Sequence, residues 1–134
     1  MEITIETTIN APIESVWTAW TTPETIVQWN AASEDWHTTT SRVDLCVGGE
    51  FSSRMEAKDG SMGFDFAGIY TRIEKPNLLE AEFGGRMLRV EFSEEYGKTT
   101  VRETFEPEDM NSIDMQRAGW QAILDNFKRF VEAK

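Results

Sequence analysis

The sequence predicts an α+β fold in which a curved antiparallel sheet of six to seven strands wraps around a long C-terminal helix. Between residues 37 and 105, short segments alternate apolar and polar residues and are separated by turns, most of which contain glycine. The last segment, 111–134, instead repeats apolar residues at helical spacing. A sheet with one apolar face must be covered, and the terminal helix is the only large cover that the pattern offers.

The first part of the chain predicts one strand followed by two short helices. Residues 3–9 place isoleucines on one face and threonines and glutamates on the other, which is typical of a half-buried strand. Pro12 fits the first position of a helix, and Thr22-Pro23 repeats such a start, so a second short helix is expected to reach about Trp29. The two helices are therefore predicted to form a compact insert after the first strand.

The middle of the chain predicts a meander of hairpins. The expected strands are 37–46, 50–56, 63–74, 79–83, 87–92 and 101–105. The first of them is polar and β-branched, which favours an edge strand. In the third, apolar side chains fall on both faces: Phe64, Phe66 and Tyr70 on one, Ile69 and Ile73 on the other. A bulge near Gly68 is expected to shift the register there.

The terminal helix carries one apolar stripe and an unusual glycine. The stripe consists of Trp120, Ile123, Leu124, Phe127, Phe130 and Val131. Asn111 is the expected N-cap of this helix. Gly119 costs about 1 kcal/mol relative to alanine in a helix interior, so it needs a compensating reason. Close approach of the helix to the sheet is the favoured interpretation, and space for a ligand is the alternative.

Composition restricts the class of protein. A length of 134 residues predicts one domain, 1–134. The net charge of −11 argues against nucleic acid and anionic membrane as partners, and no apolar run is long enough for membrane insertion. The N-terminal residues do not resemble an export signal, and Cys46 is the only cysteine. A cytoplasmic protein without disulfides is therefore expected.

Many inward-facing positions carry large aromatic side chains, which are compatible with either a ligand-binding site or a solid core. Rings of this size leave space in a curved sheet, and apolar concave spaces with few polar groups are typical of small-molecule sites. Composition alone favours the solid core, since aromatic stripes usually pack to high density. The candidate ligand-binding residues are Trp20, Trp29, Phe51, Met55, Phe64, Phe66, Tyr70, Leu88, Phe92, Glu103, Trp120 and Leu124.

Glu103 is the titratable group of greatest interest. By alternation it shares a face with Val101 and Phe105, so its carboxyl needs a partner such as Arg72 or Arg86, or a raised pKa. A satisfied ion pair is favoured over a catalytic base. With a single histidine and a single cysteine, neither a metal site nor a bound cofactor is expected, and no catalytic residue is assigned.

The order and spacing of several short motifs resemble a known family. These motifs are Asn10-Ala11-Pro12, Val16-Trp17, Thr22-Pro23-Glu24, Gly48-Gly49-Glu50-Phe51, Asp59-Gly60, Gly68-Ile69-Tyr70, Ile73-Glu74-Lys75-Pro76 and Gly119-Trp120. Together they resemble the activator-of-Hsp-ATPase homologue-like (AHSA-like) family of the SRPBCC or START-related helix-grip superfamily. The resemblance covers essentially the whole chain.

The resemblance implies a cavity between the sheet and the C-terminal helix that binds a lipid, sterol or polyketide-like molecule without catalysis. Two other functions stay open. One is a stress-related, chaperone-regulating or protein-interaction domain, although eukaryotic activators join this domain to a separate chaperone-binding domain that the sequence does not show. The other is a cyclase or hydrolase-like enzyme that uses Glu103 or Tyr70.

Overall fold

The computed structural model describes all residues, 1–134. Its elements follow in this order: β1 (Ile3–Ile9), α1 (Ile13–Thr21), α2 (Pro23–Trp29), β2 (Trp36–Val43), β3 (Glu50–Ala57), β4 (Gly63–Glu74), β5 (Leu78–Phe83), β6 (Arg86–Glu95), β7 (Lys98–Phe105) and α3 (Ile113–Glu132). All strands join one curled antiparallel sheet in the order β1-β7-β6-β5-β4-β3-β2. The predicted α+β class, the strand number and the helix arrangement are confirmed.

The two edges of the sheet are β1 and β2, so the predicted edge position of the polar strand is confirmed. This strand ends at Val43, earlier than the predicted residue 46. The chain turns after it, with the Gly49 amide donating to the carbonyl of Cys46 at 2.8 Å. A side chain at Gly49 would meet the Asp44 carbonyl oxygen at 2.1 Å, so this turn requires glycine.

The bulge predicted near Gly68 is present in β4 and lies between Tyr70 and Arg72, a few residues further along the strand. The extra residue reverses the faces that follow it. Ile69 on the outer face is 46% exposed, whereas Ile73 packs against the core on the same side as Tyr70. The bulge therefore explains why both faces of this strand carry apolar residues.

The N-terminus of α3 is capped by Ser112, whose hydroxyl accepts a hydrogen bond from the Met115 amide at 3.1 Å. The prediction of Asn111 as N-cap was wrong by one residue, because the Asn111 amide groups bind the Glu108 carboxylate instead. The buried side chain of Gln116 holds the preceding loop. It donates to the carbonyls of Glu108 and Asn111 and accepts from the Glu108 amide.

The core lies between the concave face of the sheet and the three helices. Inward positions of β1 alternate with exposed ones, and the same alternation recurs in β6 and β7. Leu124, Phe127 and Val131 form the fully covered part of the α3 stripe. α3 packs mainly on β1, while α2 packs on β2, so the helices cover the two edges of the sheet.

The remaining features concern the outer surfaces. The convex face of the sheet carries cross-strand ion pairs, among them Arg89 with Glu80 and Arg102 with Glu6.

A Cβ atom added at Gly119 would meet nothing within 4 Å, so the favoured interpretation of close helix–sheet approach was wrong. None of the three helices is both long and apolar enough to cross a membrane.

Candidate functional site

A cavity of about 190 Å³ lies between the concave face of the sheet, α2 and α3. It is lined by 20 residues, of which 15 are hydrophobic. Strands β2 to β7 all contribute to its wall, whereas the edge strand β1 does not. Its interior is therefore apolar, with a small number of polar side chains at separate places.

Ten of the twelve candidate residues line this cavity. They are Trp20, Trp29, Phe51, Met55, Phe64, Phe66, Tyr70, Leu88, Glu103 and Trp120. They come from the two-helix insert, from strands β3, β4, β6 and β7, and from α3. The topology thus brings together residues up to 100 positions apart in sequence, counted from Trp20 to Trp120.

The other two candidates, Phe92 and Leu124, do not line the cavity. Phe92 is 2% exposed and packs edge-on against Trp17 and Trp20, at centroid distances of 5.4 and 5.9 Å. Leu124 is completely buried in the core. Both side chains face inward as alternation and helical spacing require, but the insert covers Phe92, and Leu124 of α3 is enclosed by the core.

The aromatic side chains of α3 and the sheet form one wall. Trp120 stacks on Phe105, with 3.8 Å between centroids and 9° between planes. The same indole meets Phe66 edge-on at 5.9 Å. Phe51 adjoins both Phe66 and Tyr70, at 5.8 and 5.0 Å. Contacts of this kind restrict the rings, so this wall is formed before any ligand arrives.

The insert supplies the opposite wall through its two tryptophans. Trp20 and Trp29 lie 5.1 Å apart, and both pack against Phe127 of α3. The Trp29 indole nitrogen donates to the Ala19 carbonyl at 3.0 Å. This hydrogen bond satisfies the only polar atom of the ring, so Trp29 presents an apolar surface to the cavity.

The position of Phe51 depends on a glycine in the neighbouring strand. Phe51 is opposite Gly68 in the β3–β4 register. A Cβ atom at Gly68 would lie 2.6 Å from the Phe51 ring and 2.6 Å from the Glu82 carbonyl oxygen. The glycine that the sequence suggested as a bulge therefore serves a different purpose, since it lets an aromatic ring lie across β4.

The mouth of the cavity is assigned to the side of the sheet formed by β2, β3 and β4, because the two exposed residues of its lining, Arg42 and Phe64, lie there. Phe64 is 49% exposed and contacts Trp36 at a centroid distance of 5.9 Å. Arg42 is exposed and is the only cationic residue among those lining the cavity. The description of Phe64 as an inward-facing residue is therefore only partly right, because half of its side chain meets solvent.

Tyr70 brings a hydroxyl group into this apolar surface. The residue is 7% exposed, and burial is the only influence on the pKa of its hydroxyl, which has no hydrogen-bond partner within the protein. Burial raises the pKa of Tyr70 to about 12, so the hydroxyl is neutral and can donate one hydrogen bond and accept others.

Glu103 is the only buried residue with an ionisable carboxyl group. It is 6% exposed and lines the cavity, and burial is the only influence on its pKa, so no hydrogen bond or ion pair within the protein stabilises its charge. Because no fully enclosed polar atom of the protein lacks a partner, the carboxyl oxygens keep access to the space of the cavity. Burial alone raises the pKa of Glu103 from 4.5 to about 8. Of the two states that the sequence left open, the structure shows the raised pKa and not the ion pair.

The two arginines suggested as partners of Glu103 are engaged elsewhere. Arg72 pairs with Glu74 and Glu80 on the convex face of the sheet. Arg86 donates to the Glu106 carbonyl at 3.2 Å, and its guanidinium lies 4.4 Å above the Phe83 ring. The bulge in β4 and the strand alternation keep both away from the cavity.

Ten further lining residues were not predicted. They are Ile26, Asn30, Ser41, Arg42, Val43, Ser53, Leu79, Ala81, Val90 and Ile123. The alternation within their strands puts Leu79, Ala81 and Val90 on the inner face. Their small or medium size is the feature that indicates space beside them. Ser53 is buried next to Ser41, with 3.4 Å between the two hydroxyl oxygens. Alternation puts Ser53 on the same face as Phe51 and Met55, which was the available signal for it, whereas no local pattern marks Ser41.

Residues with other reactive groups lie apart from the cavity. His37 and Cys46 are both exposed, and neither lines the cavity. The structure contains no cluster of three or more side chains that could hold a metal ion.

Comparison with known proteins gives a consistent result. The family model described as "Activator of Hsp90 ATPase homolog 1-like protein" matches residues 10–132. The solution structure of the AHSA1-like protein from Aeromonas hydrophila is 56% identical, with a TM-score of 0.93 over 99% of this chain and 93% of that one. A protein from Cytophaga hutchinsonii is 43% identical, with a TM-score of 0.85 over 98% and 92% of the two chains.

More distant structures share the fold alone. A protein from Nitrosomonas europaea is 18% identical and has a TM-score of 0.84, over 99% of this chain and 95% of that one. A comparison with proteins of curated function gives no match.

Proposed function

Because the chain belongs to the family of activator of Hsp90 ATPase homolog 1-like proteins, whose domains bind ligands or proteins, we propose that it binds a small hydrophobic molecule without transforming it. The cavity between the sheet, α2 and α3 is the binding site. A cytoplasmic location is part of the proposal, since the single exposed thiol of Cys46 suits a reducing compartment.

The lining of the cavity is the observation that carries the proposal. Fifteen of its 20 residues are hydrophobic, and the polar groups are few and separate. Ligand sites in proteins combine a concave apolar surface with a few polar groups that orient the ligand. Here Tyr70 and Glu103 line the cavity, and burial is the only influence on the pKa of either side chain, so each offers a polar group that no protein group engages.

The volume selects among the candidate ligand classes. Drug-sized sites typically measure about 300–1,000 Å³, and an apolar cavity of about 150 Å³ binds benzene. At about 190 Å³, this cavity suits a compound of one or two rings. A sterol or a long acyl chain fits only if the cavity widens. Widening is easiest at Phe64, because this exposed side chain has the fewest packing contacts to lose.

Filling the cavity tests the proposal. Ala81 lines the cavity and is 3% exposed, so Ala81→Leu places three additional carbon atoms inside it. The matched control is Ala67→Leu, the same change at an exposed position of β4 outside the cavity lining. Titration with naphthalene, a fatty acid and a sterol, followed through amide and indole NMR signals, gives the affinity of each variant.

We expect the wild type and Ala67→Leu to bind at least one of the three probes with equal affinity. Ala81→Leu should lose at least tenfold in affinity while retaining its folded spectrum. Equal binding by both variants, or shifts confined to exposed loops, would contradict the cavity as the binding site. Recovery of a stoichiometric protein partner with no binding of small molecules would instead favour the chaperone-regulating or protein-interaction function.

Glu103 favours a second candidate function, a cyclase or hydrolase-like enzyme. An unpaired carboxyl with a raised pKa in a cleft has the properties of a general acid or base at neutral pH. Catalysis predicts that a bound polyketide-like compound is chemically altered by the wild type and recovered unchanged from Glu103→Gln. A compound recovered unchanged from both proteins supports binding alone.

A further inference from the structure

Glu103 lies in the most apolar part of the sheet. Its neighbours across the strands are Ile5 on β1 and Val90 on β6, and on its own strand Val101 and Phe105 share its face. The exposed fractions of these four residues are 4%, 1%, 0% and 1%. A carboxyl group in such surroundings destabilises the fold unless it acquires a hydrogen-bond partner.

The protein offers no such partner. The serines at 41 and 53 that line the cavity bind one another, and the Thr99 hydroxyl donates to the Ala11 carbonyl. Tyr70 is separated from Glu103 by two strands in the sheet and lies two residues further along the register, on the row of Ala81, Leu88 and Phe105. At about 4.8 Å between strands and about 3.4 Å per residue along them, the two backbone positions are roughly 16 Å apart along the sheet.

We propose that Glu103 is the polar anchor of the cavity and selects a neutral ligand that carries a hydroxyl group next to its rings. This inference rests on the proposed function. The carboxyl receives or donates the hydrogen bond of that hydroxyl, and the apolar wall holds the rings. With this anchor, the expected ligand is a neutral phenol or alcohol and not simply any hydrophobic molecule.

The charge distribution excludes an anionic head group from the interior. Arg42 is the only cation that lines the cavity, and it is exposed at the mouth. A carboxylate placed at the inner end would have no cation to pair with and would lie beside Glu103. Two carboxyl groups that share a site disfavour each other's ionised form. A fatty acid therefore binds, if at all, with its head group at the mouth.

Three compounds with the same two fused rings separate these effects: naphthalene, 2-naphthol and 2-naphthoate. At about pH 6.5 the naphthol is neutral and the naphthoate is an anion. Wild-type affinities are measured by NMR titration and compared with those of Glu103→Leu, Glu103→Gln and Tyr70→Phe. Leucine removes the hydrogen bond, glutamine retains one donor and one acceptor, and Tyr70→Phe removes the other buried hydroxyl.

We expect the wild type to bind 2-naphthol about three- to tenfold more tightly than naphthalene, as one net hydrogen bond predicts. 2-Naphthoate should bind most weakly. Glu103→Leu should bind both uncharged compounds equally, whereas Glu103→Gln and Tyr70→Phe should keep the preference for 2-naphthol.

Several results would overturn the inference. One is a preference for 2-naphthol that survives in Glu103→Leu or disappears only in Tyr70→Phe. Another is equal affinity of the wild type for 2-naphthoate and 2-naphthol. This result can be observed without any variant. In both cases the cavity still binds ligand and the proposed function stands. If none of the three compounds perturbs the signals of the cavity in the wild type, both the inference and the proposed function fail.

Discussion

The two halves of the sheet follow the same alternation but pack differently. In the half formed by β1, β6 and β7, the inward side chains are sealed by α1 and α3, and residues such as Ile3, Val101 and Phe105 are at most 1% exposed. In the half formed by β2, β3 and β4, Phe51 and Phe66 are only partly buried and Phe64 is 49% exposed. The first half is mostly core and reaches the cavity only through Leu88, Val90 and Glu103, whereas the second half forms the less covered part of the cavity wall.

The difference shows that cover, and not residue type, separates a core from a site. Phenylalanines occur in both halves, and both are folded from regular antiparallel hairpins. α3 packs on β1, while the β2 side receives only the seven-residue helix α2. A short helix cannot fill the concave face beneath β3 and β4, so space remains there.

The largest expected effect comes from removing a phenylalanine from each half. Phe105 on β7 is 1% exposed and stacks on Trp120, so Phe105→Ala should lower the free energy of unfolding by about 3–5 kcal/mol. Phe64→Ala, the same change at the mouth, should lower it by about 1 kcal/mol or less. Chemical denaturation measures both. Similar losses in the two variants would remove the distinction between the halves.

The next effect concerns the pH dependence of stability. The raised pKa of Glu103, about 8 against 4.5, means that the folded protein keeps a proton that the unfolded chain releases between these pH values. The free energy of unfolding therefore falls as the pH rises through this window, by about 1.4 kcal/mol per pH unit from this group. The contribution is fully present below about pH 4.5 and lost above about pH 8.

Glu103→Gln is the matched control for this slope, because it removes the titrating group and keeps the size of the side chain. Denaturation at several pH values should give a stability difference between wild type and Glu103→Gln that changes steadily from pH 5 to pH 8. All other titrating groups are common to the two proteins. A constant difference across this range would show that Glu103 ionises normally in the folded protein.

The smallest expected effect is a gain in stability. A Cβ atom at Gly119 meets open space, and the residue lies in the interior of α3. Gly119→Ala should therefore raise the free energy of unfolding by about 1 kcal/mol. Thermal denaturation checks the sign, and Gly68→Ala is the opposite control, since its Cβ atom would meet the Phe51 ring. A loss of stability in Gly119→Ala would show that the helix needs this glycine.

Much of the fold follows from local patterns. Alternation in β1 and the hairpins, proline at the helix starts and the apolar stripe of α3 each depend on neighbouring residues, and each predicted its element. Errors arose where the determining contact is not local. Asn111 and Ser112 are both good caps, and the choice between them depends on Glu108. The bulge lies between Tyr70 and Arg72 because the register of β4 with β5 shifts there.

The candidate site was predictable only in outline. Alternation places Phe51, Phe66 and Tyr70 on the concave face, but it cannot distinguish a ring beside a void from a ring inside a core. Phe92 shows the difference, because it obeys the same pattern and is covered by Trp17 and Trp20. That distinction depends on a few ångströms in the placement of α2 and α3, which no single segment of the sequence encodes.

The location of a bound probe tests the central claim most directly. In a complex with 2-naphthol, intermolecular nuclear Overhauser effects report which side chains touch the ligand. The account predicts contacts with the methyl groups of Leu79, Val90 and Ile123, which line the inner surface of the cavity. Contacts confined to exposed side chains such as Val47 and Met62 would contradict it, since these lie outside the cavity lining.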